Sequence, residues 1–422
     1  MNSTAAKKAL KVFNDTKSLF IRPSTPTARK RGADERDKHT SSSDDNEHHD
    51  TKRMRLVEWV ASSSSSSSSS SFRSTADEAA SSSLYHPDFE GKPNCLNVTD
   101  YLQHIPSVNE SLRKLKSKPT VTLTKSNVDA RRIINVLQGE VAHATPEQAD
   151  VLVSDRATTC HILALRSTRV GSSSSDDGSR SSSSKSSPSA ALASIAHIDQ
   201  PAYESCIQSM MDMHKRYHGV GNKIIAEFHL VGGFNDERGS SQKLTEHLLH
   251  TLEFIDRKER QHIDIIIKTC CVSGLNDDGS RAPIGRGLAI DIASGDVFLA
   301  SVDDTVAGPA VVLRNCRLWS APTGQSPRLC SIHTPLSNHI AVHPFDFEWN
   351  EDLMYLCSLT DEELLEETST SPSVEQDDYC DQVRESLVFM KDHNVEDVFG
   401  PAGGRKVLYF ERSDKGLTNG RL

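Results

Sequence analysis

Several absences narrow the reading of this chain before any motif is considered. No apolar stretch approaches the ~18 residues that a membrane-spanning helix requires, so no membrane association is expected. The start, Met1 to Leu19, is too polar for a secretory signal peptide. Basic residues are not in excess: the formal net charge is −10, which gives the folded part no footprint for nucleic acid. Nine cysteines occur, at 95, 160, 206, 270, 271, 316, 330, 357 and 380, but no Cys-x-x-Cys pair. The odd number and irregular spacing remove support for a structural zinc site. Without a secretory signal, reduced thiols in the cytosol or nucleus are expected.

Apolar residues are also scarce in the first ~85 positions, which include an unbroken serine run from Ser62 to Ser71. Such a segment cannot bury enough apolar surface to offset the entropy of ordering. Residues 1–90 are therefore expected to be a disordered tail rich in serine and charge. Its basic clusters, Arg29-Lys30-Arg31 and Lys52-Arg53-Met54-Arg55, fit either a nuclear import signal or a solvated charge run. A second Ser-rich tract at 171–189 reads as a flexible insertion. What remains is one domain over 91–415, followed by a flexible end at 416–422.

Within that domain the periodicity predicts an α+β fold, a layered β-sheet core with helices on an outer face. Asp150–Val153, Ile162–Leu165, Ala191–Ile198, Lys223–Val231 and Ile263–Val272 read as strands. Gly287–Ile292 and Val297–Val302 read as a hairpin, and Leu329–Ile332 and Lys406–Phe410 as further strands. Helices are predicted over Val98–Ile105, over Asn109–Lys118, after Gln200-Pro201, and from a cap at Ser240 and Ser241 with the stripe Leu244, Leu248, Leu252 and Ile255. Tyr379–Lys391 is the last predicted helix.

The chemistry centres on Ser154-Asp155-Arg156-Ala157-Thr158-Thr159-Cys160-His161. A polar turn of small residues delivers Cys160 straight into an apolar strand, which suits a nucleophile held rigidly at a cleft. A thiol with a pKa near ~8.5 needs a base or a positive neighbour. His197 is the leading candidate if its strand pairs antiparallel with the one after Cys160. His161 points to the opposite face, and His229 is a competitor. Ser154 is placed to bond the imidazole and fix its tautomer, and the backbone N–H groups of Thr159 and Cys160 to form an oxyanion hole. Asp155, Asp199, Glu227 and Asp236 are carboxylates near the presumed cleft. Gly232-Gly233 ends a strand and lets the backbone approach something closely. Each residue has a plainer reading: a buried thiol, a structural histidine, a turn serine, a strand-end turn, surface charges.

Together these segments resemble the protein N-terminal asparagine amidohydrolase family. The resemblance is carried by the Ser154–Ile162 stretch, by Glu227-Phe228-His229-Leu230-Val231-Gly232-Gly233-Phe234, and by Asp236, Arg238 and Ser241-Gln242-Lys243-Leu244-Thr245. It continues at Ser369-Thr370-Ser371-Pro372, and spans roughly 93–415. It implies a nucleophile at Cys160. It also implies kinship with Cys-His deamidases such as the chemotaxis glutamine deamidases and a deamidating bacterial toxin. There a hydroxyl residue six before the cysteine and a histidine on the next strand complete a triad, matching Ser154 and His197. The family lacks the long tail and the 171–189 insertion in its animal members, and the region before Ser154 matches poorly.

The resemblance implies that N-terminal Asn of proteins or peptides is hydrolysed to Asp with release of ammonia, through a thioester and without metal or cofactor. In the family the product Asp is arginylated and marks the protein for ubiquitin-dependent degradation in the N-degron pathway. The substrate-binding set expected on this basis is Asp155, Glu227, Gly232, Gly233, Asp236 and Ser369. Partners would be proteins bearing N-terminal Asn, in the cytoplasm and nucleus; the oligomeric state is left open. Two other readings stand beside it: a deamidase of internal Gln or Asn in a partner protein, and a non-catalytic interaction module of the same fold.

Overall fold

The computed structural model describes residues 102–103, 105–129, 132–170, 191–199, 204–320 and 329–411. All of them belong to one compact unit. The tail at 1–90, with its basic clusters, the insertion at 171–189 and the end at 416–422 lie outside the described residues, as does most of the helix expected at Val98–Ile105.

The longest apolar alternations form the centre. Strands β5 (His161–Arg169), β6 (Leu192–Ile198), β7 (Ile224–Gly232) and β8 (Ile263–Val272) are joined by β3 (Glu140–Ala144) and β11 (Cys330–His333). The six run in the order β11-β3-β6-β5-β7-β8. A five-stranded sheet, β1-β10-β9-β4-β2, comprises β1 (Val121–Leu123), β2 (Ile133–Asn135), β4 (Val151–Ser154), β9 (Leu288–Asp291) and β10 (Val297–Val302). Strands β12 (His339–Val342) and β13 (Leu408–Glu411) pair separately.

The two large sheets pack through β4 on β6 and β5 on β9. Helices α1 (Pro106–Lys116), α2 (Glu204–His218) and α3 (Ser240–Glu259) lie against the six-stranded sheet, α2 and α3 on its outer face. Covered on both faces, β6 is buried at every residue, its polar Ser194 and His197 included. The remaining helices, α4 (Val311–Cys316), α5 (Glu351–Cys357), α6 (Asp361–Thr368), α7 (Tyr379–Asp392) and α8 (Val395–Phe399), follow later in the chain. Among them α7 packs on α4, α5 and α6. The architecture is thus mixed α+β with several sheets, and no helix among the described residues is long and apolar enough to cross a membrane.

Two local expectations change. Ser240 and Ser241 do not cap α3 with their side chains; they are its first residues, and Gly239 precedes them in the left-handed region. The orphan N–H groups of Ser240 and Ser241 are instead accepted by the Asp236 carboxylate, at 2.9 and 2.8 Å. A carboxylate held at a helix N-terminus also meets the positive end of the helix dipole. Helix α1 begins earlier than the pattern suggested, because Pro106 occupies a first-turn position where its missing N–H costs nothing.

Candidate active site

The site forms at the end of the six-stranded sheet where it meets β4. Strands β5 and β6 are antiparallel, with Ile162 opposite His197. Cys160 precedes β5 by one residue, and the strand's alternation carries it to the side of Ile162 and His197, one diagonal step from the imidazole. The Cys160 residue is 9% exposed and its carbonyl accepts the Gly233 N–H at 2.8 Å. His161, on the opposite face, reaches Thr245 of α3 through Nε2 at 2.7 Å.

Ser154, the last residue of β4, is fully buried and donates to the Val136 carbonyl at 2.6 Å. Its oxygen also lies 2.9 Å from Nδ1 of His197. A hydroxyl has one hydrogen to give. With that hydrogen on Val136, Nδ1 must be the donor to Ser154, and the lone pair of the neutral ring sits on Nε2. That Nε2 is buried and has no hydrogen-bond partner among the described residues. Burial pushes His197 down to about 4, an effect that the nearby Glu140 carboxylate opposes.

Glu140 escaped the sequence reading. It opens β3 and lies beside β6, whose His197 carbonyl takes the Gly139 N–H at 3.0 Å. It is fully buried, with Arg314 at 2.6 Å and Arg317 at 3.1 Å. Burial alone would raise its carboxyl, but the two guanidinium groups and the Leu137 N–H outweigh that and hold it below the ordinary range. No local signal marks this residue, since its partners lie 174 and 177 positions away.

The turn that carries Cys160 is pinned at nearly every residue. Asp155 accepts the Val302 N–H at 2.8 Å, and its carboxyl is raised by burial. Arg156, at φ 62°, grips Asp378 with two bonds of 2.7 and 2.8 Å. The Ala157 N–H donates to the Arg286 carbonyl at 2.8 Å. Thr158 donates to Glu375 at 3.4 Å, and Thr159 pairs with Thr370 at 2.9 Å. Glycine is required beside the turn: a Cβ at Gly287 would stand 2.0 Å from the Ala300 carbonyl oxygen and 2.8 Å from Asp155 Cβ.

The other expected substrate contacts fall into distinct places. Gly232 and Gly233, at φ 134° and 66°, do permit a close approach, and what approaches is the backbone of Cys160 and His161 together with the His161 ring. A Cβ at Gly232 would lie 2.3 Å from the Cys160 carbonyl oxygen, and one at Gly233 2.8 Å from the His161 ring. These glycines position Cys160. Asp236 is occupied as the cap of α3. Glu227 is not brought to the cysteine: it pairs in register with Arg166, six residues beyond Cys160, about 20 Å along the strand. There it meets Arg166 at 3.8 Å and Lys268 at 3.1 Å. His229 shares the sheet face with His197 but sits opposite Ala164, where its Nδ1 pairs with Thr269 at 3.1 Å. Asp199 accepts from Gln138 at 2.7 Å. Ser369 follows α6, is buried, and donates to Glu375.

Known proteins of similar sequence share one description. The sequence profile described as "Protein N-terminal asparagine amidohydrolase" matches residues 123–419. The chain is 28% identical to a protein of that name from Sus scrofa over 324 residues, 75% of this chain and 91% of the relative. It is 28% identical to the Homo sapiens protein of the same name over 327 residues, 75% and 92% of the two. The Mus musculus relative is 29% identical over 318 residues, 74% and 90%. The matched span contains the buried turn, its serine and its histidine, and covers most of the folded part. The chain belongs to the protein N-terminal asparagine amidohydrolase family.

Proposed function

We propose that this chain hydrolyses the side-chain amide of an N-terminal Asn to give N-terminal Asp and ammonia, with Cys160 as nucleophile, His197 as general acid and base, and Ser154 as the residue that orients the imidazole. The observation that carries the reading is the His197 tautomer. Ser154 fixes Nδ1 as the donor and leaves a lone pair on Nε2, one diagonal step from Cys160. A base that accepts a thiol proton needs that lone pair.

The steps balance as follows. The thiol proton passes to Nε2 and sulfur attacks Cγ of the Asn side chain. The amide oxygen becomes an oxyanion, held by the N–H groups of Thr159 and Cys160. The imidazolium returns its proton to the amide nitrogen as ammonia departs, leaving a thioester. Water, deprotonated by the same imidazole, opens the thioester to Asp and restores the thiol. Burial disfavours the imidazolium. The thiolate formed beside it and the Glu140 carboxylate supply the compensating negative charge.

The layered arrangement, with a cysteine turn at the end of one sheet and a histidine on the next strand, also supports kinship with the Cys-His deamidases. The product Asp would be arginylated and enter ubiquitin-dependent degradation, in the cytoplasm and nucleus. The catalytic domain is proposed to span 91–415, with the tail at 1–90 and the insertion at 171–189 outside its chemistry.

The test is ammonia release from short peptides beginning with Asn, Gln or acetyl-Asn, followed alongside a mass gain of about one dalton. Turnover of the free Asn peptide alone is expected. Full activity of Cys160→Ala would remove the nucleophile, and equal turnover of acetyl-Asn would favour an internal deamidase.

A further inference from the structure

An enzyme that acts only on a first residue must read the free α-ammonium, which lies a few ångströms from the amide under attack. A carboxylate with an open oxygen close to the nucleophile is the fitting receptor. The carboxylates named from sequence are engaged elsewhere: Asp155 is buried and bound by a backbone N–H, Asp199 accepts from Gln138, Asp236 holds the start of α3, and Glu227 meets two cations far along the strand. Glu140 and Asp378 are each closed by arginine.

Glu375 differs from all of these. It follows the Ser369-Thr370-Ser371-Pro372 stretch and faces the Cys160 turn, where Thr158 donates to its Oε1 at 3.4 Å. Ser369 and Ser371 donate to that same Oε1. Its Oε2 has no hydrogen-bond partner, and the carboxylate has no ion-pair partner, among the described residues; the side chain is half-buried. Burial raises the Glu375 carboxyl, an effect that the Arg286 cation opposes while its Nη1 donates to the Val374 carbonyl. The phenol of Tyr379, the first residue of α7, is raised chiefly by burial and also by the charges of Glu375 and Cys160, so the three share one neighbourhood. Three hydroxyls thus fix one oxygen beside the nucleophile and leave the other open. A desolvated carboxylate gains from an incoming cation, which would offset the cost of its burial.

We propose that Glu375 is the receptor for the substrate's α-ammonium, and that it sets the restriction to N-terminal residues. The inference rests on the amidase reading above and assigns a residue to its specificity. Ser369 then belongs to the same subsite as a positioning residue, through its bond to Oε1.

The experiment compares wild type, Glu375→Gln and Glu375→Asp with an Asn-initiated peptide and its N-acetyl form. Turnover gives kcat and KM; peptide binding to the Cys160→Ala background, measured by calorimetry, needs no turnover. Glu375→Gln keeps an acceptor for the three hydroxyls, so the fold is expected to persist, checked by its melting midpoint. The expected result is a KM raised roughly 10- to 100-fold, the scale of a lost charge-assisted hydrogen bond, with a smaller change in kcat. Free and acetylated peptides would then bind about equally, and Glu375→Asp would recover part of the preference. An unchanged preference for the free amine in Glu375→Gln overturns the proposal. Absence of ammonia release by the wild type sinks the amidase reading instead, and the binding arm still decides whether Glu375 reads an amine.

Discussion

The two faces of the six-stranded sheet carry serine–histidine pairs of the same kind, and only the inner pair stands beside the Cys160 turn. On the inner face Ser154 holds His197 by Nδ1, and Nε2 has no partner among the described residues. On the outer face Ser194 lies 2.6 Å from both His143 and His214, and Ser167 lies 2.5 Å from His214 and 2.8 Å from His218. His214 therefore has both ring nitrogens on serines. The proton bookkeeping of that chain closes with all rings neutral, each hydroxyl donating to one imidazole and accepting from the next. Residue type and burial are shared by the two faces. His161 and His229 also keep a buried ring nitrogen without a partner among the described residues, so what sets His197 apart is its place one diagonal step from Cys160.

The comparison breaks first under substitution of the two histidines. His197→Ala is expected to lower kcat by about 10³- to 10⁴-fold, the usual scale for removing a triad member, with little loss of fold. His214→Ala should leave ammonia release within a few fold. It should lower the denaturation midpoint, because two buried hydroxyls lose a partner at about 1–3 kcal/mol each. Equal turnover losses in the two variants would erase the distinction. Ser154→Ala is the intermediate case: a loss of roughly 10- to 100-fold is expected, since the imidazole remains while its tautomer is no longer imposed. Matching kinetics for Ser154→Ala and wild type would return Ser154 to a turn residue.

Stability sharpens the same contrast. Glu140→Gln leaves the buried Arg314 and the partly buried Arg317 without this counter-ion, and a loss of about 3–5 kcal/mol is expected in urea denaturation. Acid should act on both faces alike. His143 and His197 are held down to about 4 by burial, and His214 well below 6.5. Below 6.5 the unfolded chain binds protons that the folded one refuses, so stability is full above that value and falls as pH drops from about 6.5 toward 4. Each of His143 and His197 contributes on the order of 3 kcal/mol to this fall. A urea midpoint unchanged over that range would contradict the buried, neutral assignment.

Much of the framework was legible because it is written in local periodicity. Strands β5, β7 and β8, the β9–β10 hairpin and helix α7 all carry clear apolar patterns near their observed bounds. The Cys160 turn stood out because a polar run of small residues meets a fully apolar strand. Antiparallel pairing of β5 with β6 was the one condition set for His197, and it holds.

What escaped is non-local. Strand β3 reads Glu-Val-Ala-His-Ala, with a charge and an imidazole that argue against burial, and it is buried at all five positions because arginines from α4 and its flank neutralise Glu140. Glu375 resembles any acidic residue in a polar loop until Thr158, 217 positions earlier, is folded onto it. Helix α6 did have a local signature that went unread, the capping box of Thr360 with Glu363. The acidic look of Asp361–Glu367 concealed it. Gly232-Gly233 was recognised as a close-approach device, but sequence alone does not say whether the approaching atoms belong to a ligand or to Cys160 and His161.

The central claim is that a lone pair on His197 activates the sulfur of Cys160. The most direct measurement is the rate at which iodoacetamide labels Cys160, read by peptide mass spectrometry in wild type, His197→Ala and His214→Ala. The account predicts that Cys160 is alkylated ahead of the other seven described thiols, that labelling slows at least tenfold in His197→Ala, and that it is unchanged in His214→Ala. Equal labelling rates in wild type and His197→Ala would contradict it.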